Sequence, residues 1–310
     1  MLHEIQFPST NQRDTVYGWV YVPACKPKGI VCLIHGFGEH SRRYFHLIVR
    51  LMEAGYIVAA DDHVGHGKTA IENKETWGDW GDGGWHTMME DEHSLIELVK
   101  KMYPSLPVYV YGHSMGSMIA RDLMAHYGSE LDGVVLCGTS GTWPKAAEVE
   151  AAAQKLVDDG HGKENDPELL NQMMGWMFAR CPEVKLGNEW ICHDEYVQND
   201  HANDPFDAFT KPTNNQSMLY FIQMITGITG PSWAKHVPAD LAIYNIAGDQ
   251  DPVGQFGQGV YECSNWLIDT GHPNVTTYLY PGYRHEIHNY HDLKNDVADG
   301  IINFLDSLNS

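Results

Sequence analysis

The sequence predicts an α/β protein, a mostly parallel sheet flanked by helices with a helical segment inserted into it. Three observations carry this reading. Apolar strand-like runs alternate with helix-like segments over most of the 310 residues. The alternation stops between about Thr142 and His236 and then resumes. Between a strand-like run and a helix-like one lies a Gly-x-Ser-x-Gly pentapeptide, Gly112-His113-Ser114-Met115-Gly116.

The elements follow in order. Asp14 to Val22 alternates in polarity and predicts a strand of an opening hairpin. Gly29 to Ile34 is continuously apolar, as in a strand covered on both faces. Tyr44 to Ala54 has helical spacing, with Gly55 placed to end it. Tyr56 to Ala60 is the next buried strand, running into a loop from Asp61 to Gly67. Met88 to Met102 reads as a helix stopped before Pro104. Val108 to Tyr111 is a strand, Ser117 to Met124 a helix, and Gly133 to Cys137 a short buried strand. Then come two helices, Lys145 to Asp158 and Pro167 to Arg180, and a polar, proline-interrupted loop from Asn199 to Asn215. Leu241 to Ile246 (strand), Gly257 to Asp269 (helix), Val275 to Tyr280 (strand) and Asp292 to Leu308 (helix) restore the rhythm. The interruption is too long for a plain loop, so 142–236 is expected to be a helical lid on a core of 1–141 and 237–310.

Strand, sharp turn, helix is the context in which a serine hydroxyl projects clear of a sheet as a nucleophile. A serine is a weak nucleophile at neutral pH. It needs a base, a carboxylate to orient that base, and two N–H donors for the oxyanion. Ser114 is the candidate nucleophile. His285, between the last strand and the last helix, is the candidate base, with His288 and His291 as competitors. The acid lies in Gly248-Asp249-Gln250-Asp251, and periodicity does not separate Asp249 from Asp251. The backbone N–H of Met115 follows the nucleophile at a helix start. The N–H of Phe37, in the glycine-flanked loop after an early strand, is the second candidate donor.

His35-Gly36-Phe37-Gly38-Glu39-His40-Ser41-Arg42-Arg43-Tyr44 resembles the signature loop of the monoacylglycerol lipase/lysophospholipase-like α/β-hydrolases. Asp62 to Gly67 and Gly112 to Gly116 are similar to two further loops of that family. The likeness spans roughly Val16 to Thr139 and Leu241 to the end. It is weaker in the expected lid, where Trp190, Asp194 and Asp204-Pro205-Phe206 still resemble bacterial members. The family's Gly-x-x-Asp pattern falls on Gly248 and Asp251, which favours Asp251, and its Gly-x-x-His pattern falls on Gly282 and His285. The resemblance implies an α/β-hydrolase fold and a serine ester hydrolase with no metal or organic cofactor, working through an acyl-enzyme on a monoacyl lipid or another acyl ester. A peptidase or amidase of the same fold is the first alternative, and a silent binding protein on the scaffold the second. Dehalogenase and epoxide hydrolase relatives place an aspartate where Ser114 stands.

The formal net charge of −21 disfavours nucleic acid and anionic lipid as partners. No run of about 18 apolar residues predicts a membrane span, and Met1 to Phe7 lacks signal-peptide character. Six scattered cysteines without a Cys-x-x-Cys pair suit a reducing cytoplasm. A homo-oligomer is compatible with the sequence. His63 and His66 beside Asp61 and Asp62 invite a metal, but the turn glycines and the resemblance make this a structural loop. Glu39, His40 and Tyr44 are expected to fix the oxyanion loop, and His113 to pack against its neighbours. Met173 to Phe178 is the most apolar part of the expected lid, suited to packing on the core or to walling an acyl chain.

Overall fold

The apolar runs become the strands of a single sheet. The computed structural model describes residues 1–181, 183–207, 209 and 211–309. Leu2–Pro8 (β1) pairs antiparallel with Thr15–Tyr21 (β2), giving the opening hairpin. Gly29–Ile34 (β3), Phe45–Glu53 (α1), Tyr56–Asp62 (β4), Gly67–Glu72 (α2) and Thr87–Met102 (α3) follow. Then come Val108–His113 (β5), Met115–Tyr127 (α4) and Gly133–Cys137 (β6). The chain continues through Ala146–Leu156 (α5), Pro167–Met174 (α6), Glu195–Asn203 (α7), Asn215–Gly227 (α8) and Pro231–Ala234 (α9). Ile243–Gly248 (β7), Gln258–Asp269 (α10), Val275–Tyr280 (β8) and Lys294–Leu308 (α11) complete it.

The strand order is β1-β2-β4-β3-β5-β6-β7-β8, antiparallel at the β1, β2 and β4 pairings and parallel from β4 through β8. Every residue of β3, β4, β5 and β6 is buried, which is why those runs are apolar without alternation. β8 is an edge strand and alternates instead. From β3 the chain goes to β4 on one side and later to β5 on the other. The crevice at such a reversal, outside the carboxyl ends of the strands, is where open α/β sheets bind ligands.

β6 and β7 are sheet neighbours, yet the chain between them holds α5 to α9 and, among the described residues, no strand. Arg121 of α4 is fully buried and fastens both ends of this excursion. Its guanidinium donates to the Ser140 carbonyl at 2.8 Å and to that of Ile228, and lies 4.5 Å over the Trp233 ring.

Three expectations need correction. The segment Asn199–Asn215 is not all loop, because α7 runs to Asn203. Asp194 caps that helix by accepting the Tyr196 N–H at 2.9 Å, and Gln198 Nε2 binds the Cys192 carbonyl at 2.7 Å, so polar contacts replace an apolar stripe. α8 was absent from the expected elements. It buries Met218, Leu219, Phe221, Ile222, Met224 and Ile225, and its less buried positions Gln216, Tyr220 and Gln223 recur at helical spacing. Asp61 and Asp62 end β4 rather than belonging to the loop.

Candidate active site

Ser114 closes the turn between β5 and α4 with φ +56° and ψ −123°, a conformation a side-chain-bearing residue adopts only under constraint. The constraint is close packing of strand and helix. A Cβ on Gly112 would stand 2.3 Å from the Gly116 carbonyl oxygen, and one on Gly116 would stand 2.1 Å from that of Ile34. The Ser114 N–H extends the sheet ladder to the Cys137 carbonyl at 2.9 Å. Ser114 is half-buried, at the carboxyl end of β5.

The loop after β3 lies beside it, because Ile34 and Gly112 are partners in the ladder. His63 N–H donates to His35 Nε2 at 3.0 Å, so the His35 proton sits on Nδ1 and goes to the Gly36 carbonyl at 2.8 Å. Burial, with His63 and His66 adding to it, pushes His35 well below the usual imidazole range, so the ring is neutral. In a trans peptide the Phe37 N–H points opposite the Gly36 C=O. Pinning that carbonyl therefore aims the Phe37 N–H the other way. The neighbouring Gly36 N–H is held by Glu39 Oε1 at 2.7 Å. Among the described residues, neither the Phe37 nor the Met115 amide has a protein acceptor.

His285 and Asp251 arrive on the loops after β8 and β7. His285 Nδ1 is 2.9 Å from Asp251 Oδ2, both side chains are buried, and Asp251 Oδ1 accepts the Val253 N–H at 2.9 Å. Asp249 is elsewhere, accepting the Gly282 N–H at 2.7 Å and so tying the two loops together. Two glycines let these loops lie on the sheet end. A Cβ on Gly248 would sit 2.0 Å from the Tyr283 carbonyl oxygen, and one on Gly138 (φ +62°) 2.9 Å from His285 Cε1. Gly138 directly follows Cys137, the acceptor of the Ser114 N–H, and the His113 ring is 4.6 Å from that of His285. The imidazole thus stands beside the serine turn. Its Nε2 is buried and has no partner among the described residues. Burial lowers the pKa of His285, but the charge and hydrogen bond of Asp251, aided by Glu286 and Glu39, outweigh it and the net shift is upward.

The competitors are placed apart. His288 stacks on Tyr44 at 4.6 Å, and burial together with His113 pushes it well below the usual range. His291 is exposed. The loop after β4 is structural. Asp62 accepts from Ser41, Arg42 and the Lys68 N–H, while burial takes His66 down to about 3.

One hub exceeds what the sequence predicts. Glu39 accepts from Gly36 N–H, Tyr44 Oη (2.5 Å) and Arg43 (2.9 Å), and lies 3.3 Å from His113 Nδ1. Arg43 in turn grips Glu286, the residue after His285. Burial raises Asp207 to about 9, against the pull of Arg43 at 3.9 Å and with the surrounding acids adding to the rise. Glu39 and Tyr44 were expected near the loop. Arg43 with Glu286 left no local signal, being joined only by the fold.

A cavity of about 260 Å³ opens beside Phe37, lined also by Pro167, Leu170, Met174, Phe178, Trp190 and Phe209, with no charged residue in its lining. The apolar stretch Met173 to Phe178 serves two ends. Met173 and Met177 face the core, whereas Met174 and Phe178 face the cavity. Trp190 connects it to the chemistry, its ring 5.1 Å from His285.

The sequence family described as serine aminopeptidase, S33, matches residues 25–292. The chain belongs to this family. This S33-type hydrolase is 28% identical over 294 residues to the monoacylglycerol lipase of Mycolicibacterium smegmatis, covering 92% of each chain. It is 37% identical over 114 residues to the human monoglyceride lipase, covering 37% of this chain and 36% of that one. A thermostable carboxyl esterase from Bacillus coagulans, solved in complex with glycerol, superposes with a TM-score of 0.97 at 52% identity, covering 100% of this chain and 99% of that one. The chain is therefore an α/β-hydrolase of monoacylglycerol lipase/esterase type, and an enzyme. Among the described residues no helix is long and apolar enough to cross a membrane.

Proposed function

We propose that this enzyme is a serine carboxylic ester hydrolase acting through Ser114, His285 and Asp251. The observation that carries the reading is the buried Asp251–His285 hydrogen bond beside a serine held at φ +56°. Ser114 Oγ attacks the acyl carbonyl while His285 Nε2 takes its proton. The carbonyl oxygen becomes an oxyanion, stabilised by the Phe37 and Met115 N–H groups. The tetrahedral intermediate collapses, the C–O bond to the alcohol breaks, and His285 returns the proton to the leaving oxygen. Water then attacks the acyl-enzyme with the same base, releasing the acid and restoring Ser114. Asp251 holds the imidazole tautomer and stabilises its cation throughout.

Residues 142–236 act as a lid on the 1–141 and 237–310 core, and their apolar cavity takes the acyl chain. At about 260 Å³ it lies below the range of drug-sized pockets and suits one short or medium chain. The uncharged lining favours an acyl group over the α-ammonium that the family's aminopeptidase description would require. The six free thiols fit a reducing compartment such as the cytoplasm.

The test is Ser114→Ala with p-nitrophenyl butyrate and with a fluorophosphonate probe. Turnover should fall by about 10⁴-fold or more and labelling should vanish with the fold intact. Turnover or labelling near the native level would end the reading. Parallel assays on aminoacyl amides decide between ester and amide bonds.

A further inference from the structure

Where α3, α4 and the α8–α9 turn meet, a second groove of about 400 Å³ opens, lined by residues including Trp85, His86, Asp122, His126, Trp233 and His236. None of them belongs to the site above. The groove is built rather than incidental, since the Trp85 ring occupies the space a side chain on Gly227 would need, 2.6 Å from its Cβ position.

Asp122 is buried at the groove floor, and its two carboxylate oxygens face two imidazoles. His86 Nδ1 is 2.8 Å from Oδ2 and His126 Nδ1 is 3.2 Å from Oδ1. Asp122 and His126 stand one turn apart on α4 and so share a face. The ligand atoms of the three residues lie within 4.8 Å of one another. An ion in tetrahedral coordination, with bonds of about 2.0–2.1 Å, needs ligand atoms about 3.3 Å apart. Closing on an ion requires both imidazoles to turn: the Trp85 ring stacks on His86 at 3.6 Å and His126 Nδ1 lies 3.0 Å from the Asp122 backbone carbonyl, while the two side chains, 40% and 47% exposed, border solvent. His236 lines the same groove. Its Nδ1 proton goes to the Ser232 carbonyl at 2.9 Å, leaving the Nε2 lone pair, as the second shell of a metal-bound imidazole does.

We propose that His86, Asp122 and His126 form a binding site for a divalent ion of the zinc class. Two nitrogens and one carboxylate select zinc, cobalt, nickel or copper over calcium or magnesium, which take oxygen ligands. On binding, each imidazole gives up its Nδ1 hydrogen bond, that of His86 to the Asp122 carboxylate and that of His126 to the Asp122 backbone carbonyl at 3.0 Å, and presents an unprotonated nitrogen to the ion while any further proton leaves to solvent. The net charge of −21 concentrates cations at the surface. Three other groups of potential ligands serve less well. Asp61–His63–Glu92 and His113–Cys137–His288 are buried in every member. In His93–Glu97–Glu130, Lys100 already pairs both acids, at 2.9 and 3.0 Å. Because the ligands stand at the start of α3 and on α4, the ion ties those two elements together and stabilises the fold by mass action.

The experiment is calorimetric titration of Zn²⁺ into the native enzyme, His86→Ala, His126→Ala and the double variant, with thermal melts beside each. Circular dichroism of the variants without metal checks their folding. One ion per chain should bind the native enzyme and raise its Tm. Each single variant should bind at least about tenfold more weakly, and the double variant should lose both the binding and the Tm rise. Co²⁺ should give ligand-field absorption bands in the native enzyme only. Absence of binding to the native enzyme, or undiminished one-to-one binding by a folded double variant, would overturn the proposal.

Discussion

Arg43 and Glu286 are 243 residues apart in the chain and join through a two-pronged ion pair, Nη1 to Oε1 at 2.6 Å and Nη2 to Oε2 at 2.9 Å. Arg43 also holds Glu39, which carries the Gly36 N–H, and Glu286 directly follows His285. The pair therefore links the loop that presents the Phe37 amide to the loop that presents the imidazole. Both side chains are nearly excluded from water, so the pair needs the charge of arginine for stability and its planar fork for geometry.

Arg43→Lys keeps the charge and loses the fork. Steady-state kinetics on a short-chain ester should show kcat lowered by about 10²-fold with KM little changed, as expected when reacting groups shift without losing substrate contacts. Arg43→Met leaves Glu39 and Glu286 without their cation and should cost about 3–5 kcal/mol in urea unfolding. A kcat within twofold of native in Arg43→Lys would show that the two loops hold their places without the pair.

Asp251 and Asp249 separate in the pH profile. Protonated His285 cannot act as a base, so kcat/KM falls below its pKa, and Asp251 shifts that pKa upward. The acid limb of the native enzyme should thus lie above the ordinary imidazole value of about 6.5. Asp251→Asn should lower kcat by about 10⁴-fold and move the limb to lower pH. Asp249→Asn, which loosens only the Gly282 turn, should leave the limb in place. Equal shifts in the two variants would remove Asp251 from its assigned role.

Gly138→Ala tests the seat of the imidazole. The new Cβ would meet His285 Cε1 at 2.9 Å on a backbone at φ +62°. Strain should lower stability by about 1 kcal/mol, and displacement of the ring should lower kcat far more than it raises KM. Thermal melts and kinetics measure the two effects separately.

Acyl-chain preference should follow the cavity beside Phe37. Across a series of p-nitrophenyl esters, each added methylene that enters it gains about 0.8 kcal/mol, roughly fourfold in kcat/KM, until the space is full. Leu170→Phe, which narrows the lining, should move the optimum to shorter chains, and Phe178→Ala should move it to longer ones. An unmoved optimum in both variants would place the acyl chain elsewhere.

Arg121 is a stability test of the α5–α9 excursion. Arg121→Met removes the donor to the Ser140 and Ile228 carbonyls and the stacking on Trp233. Leaving two buried carbonyls unpaired should cost about 2–4 kcal/mol in denaturant unfolding. A loss below 1 kcal/mol would mean that water or repacking replaces the tie.

Local physics made much of this protein legible in its sequence. Continuous apolar runs are satisfied in strands covered on both faces, so Gly29–Ile34 and Gly133–Cys137 were placed to the residue. Gly112 and Gly116 announced a turn too crowded for side chains, and Ser114 with it. α7 stayed hidden because caps and polar contacts hold it, whereas α8 does carry a helical period, its less buried side at Gln216, Tyr220 and Gln223. Periodicity left Asp249 and Asp251 open and the Gly-x-x-Asp likeness favoured Asp251, whereas only the tertiary structure could couple Arg43 to Glu286 or gather His86 with Asp122 and His126 around one groove. Periodicity reports which face of an element meets the core, a property of a few neighbouring residues. Which side chains of distant loops meet depends on strand order and on how loops lie across the sheet end, and that is decided by the packing of the whole chain.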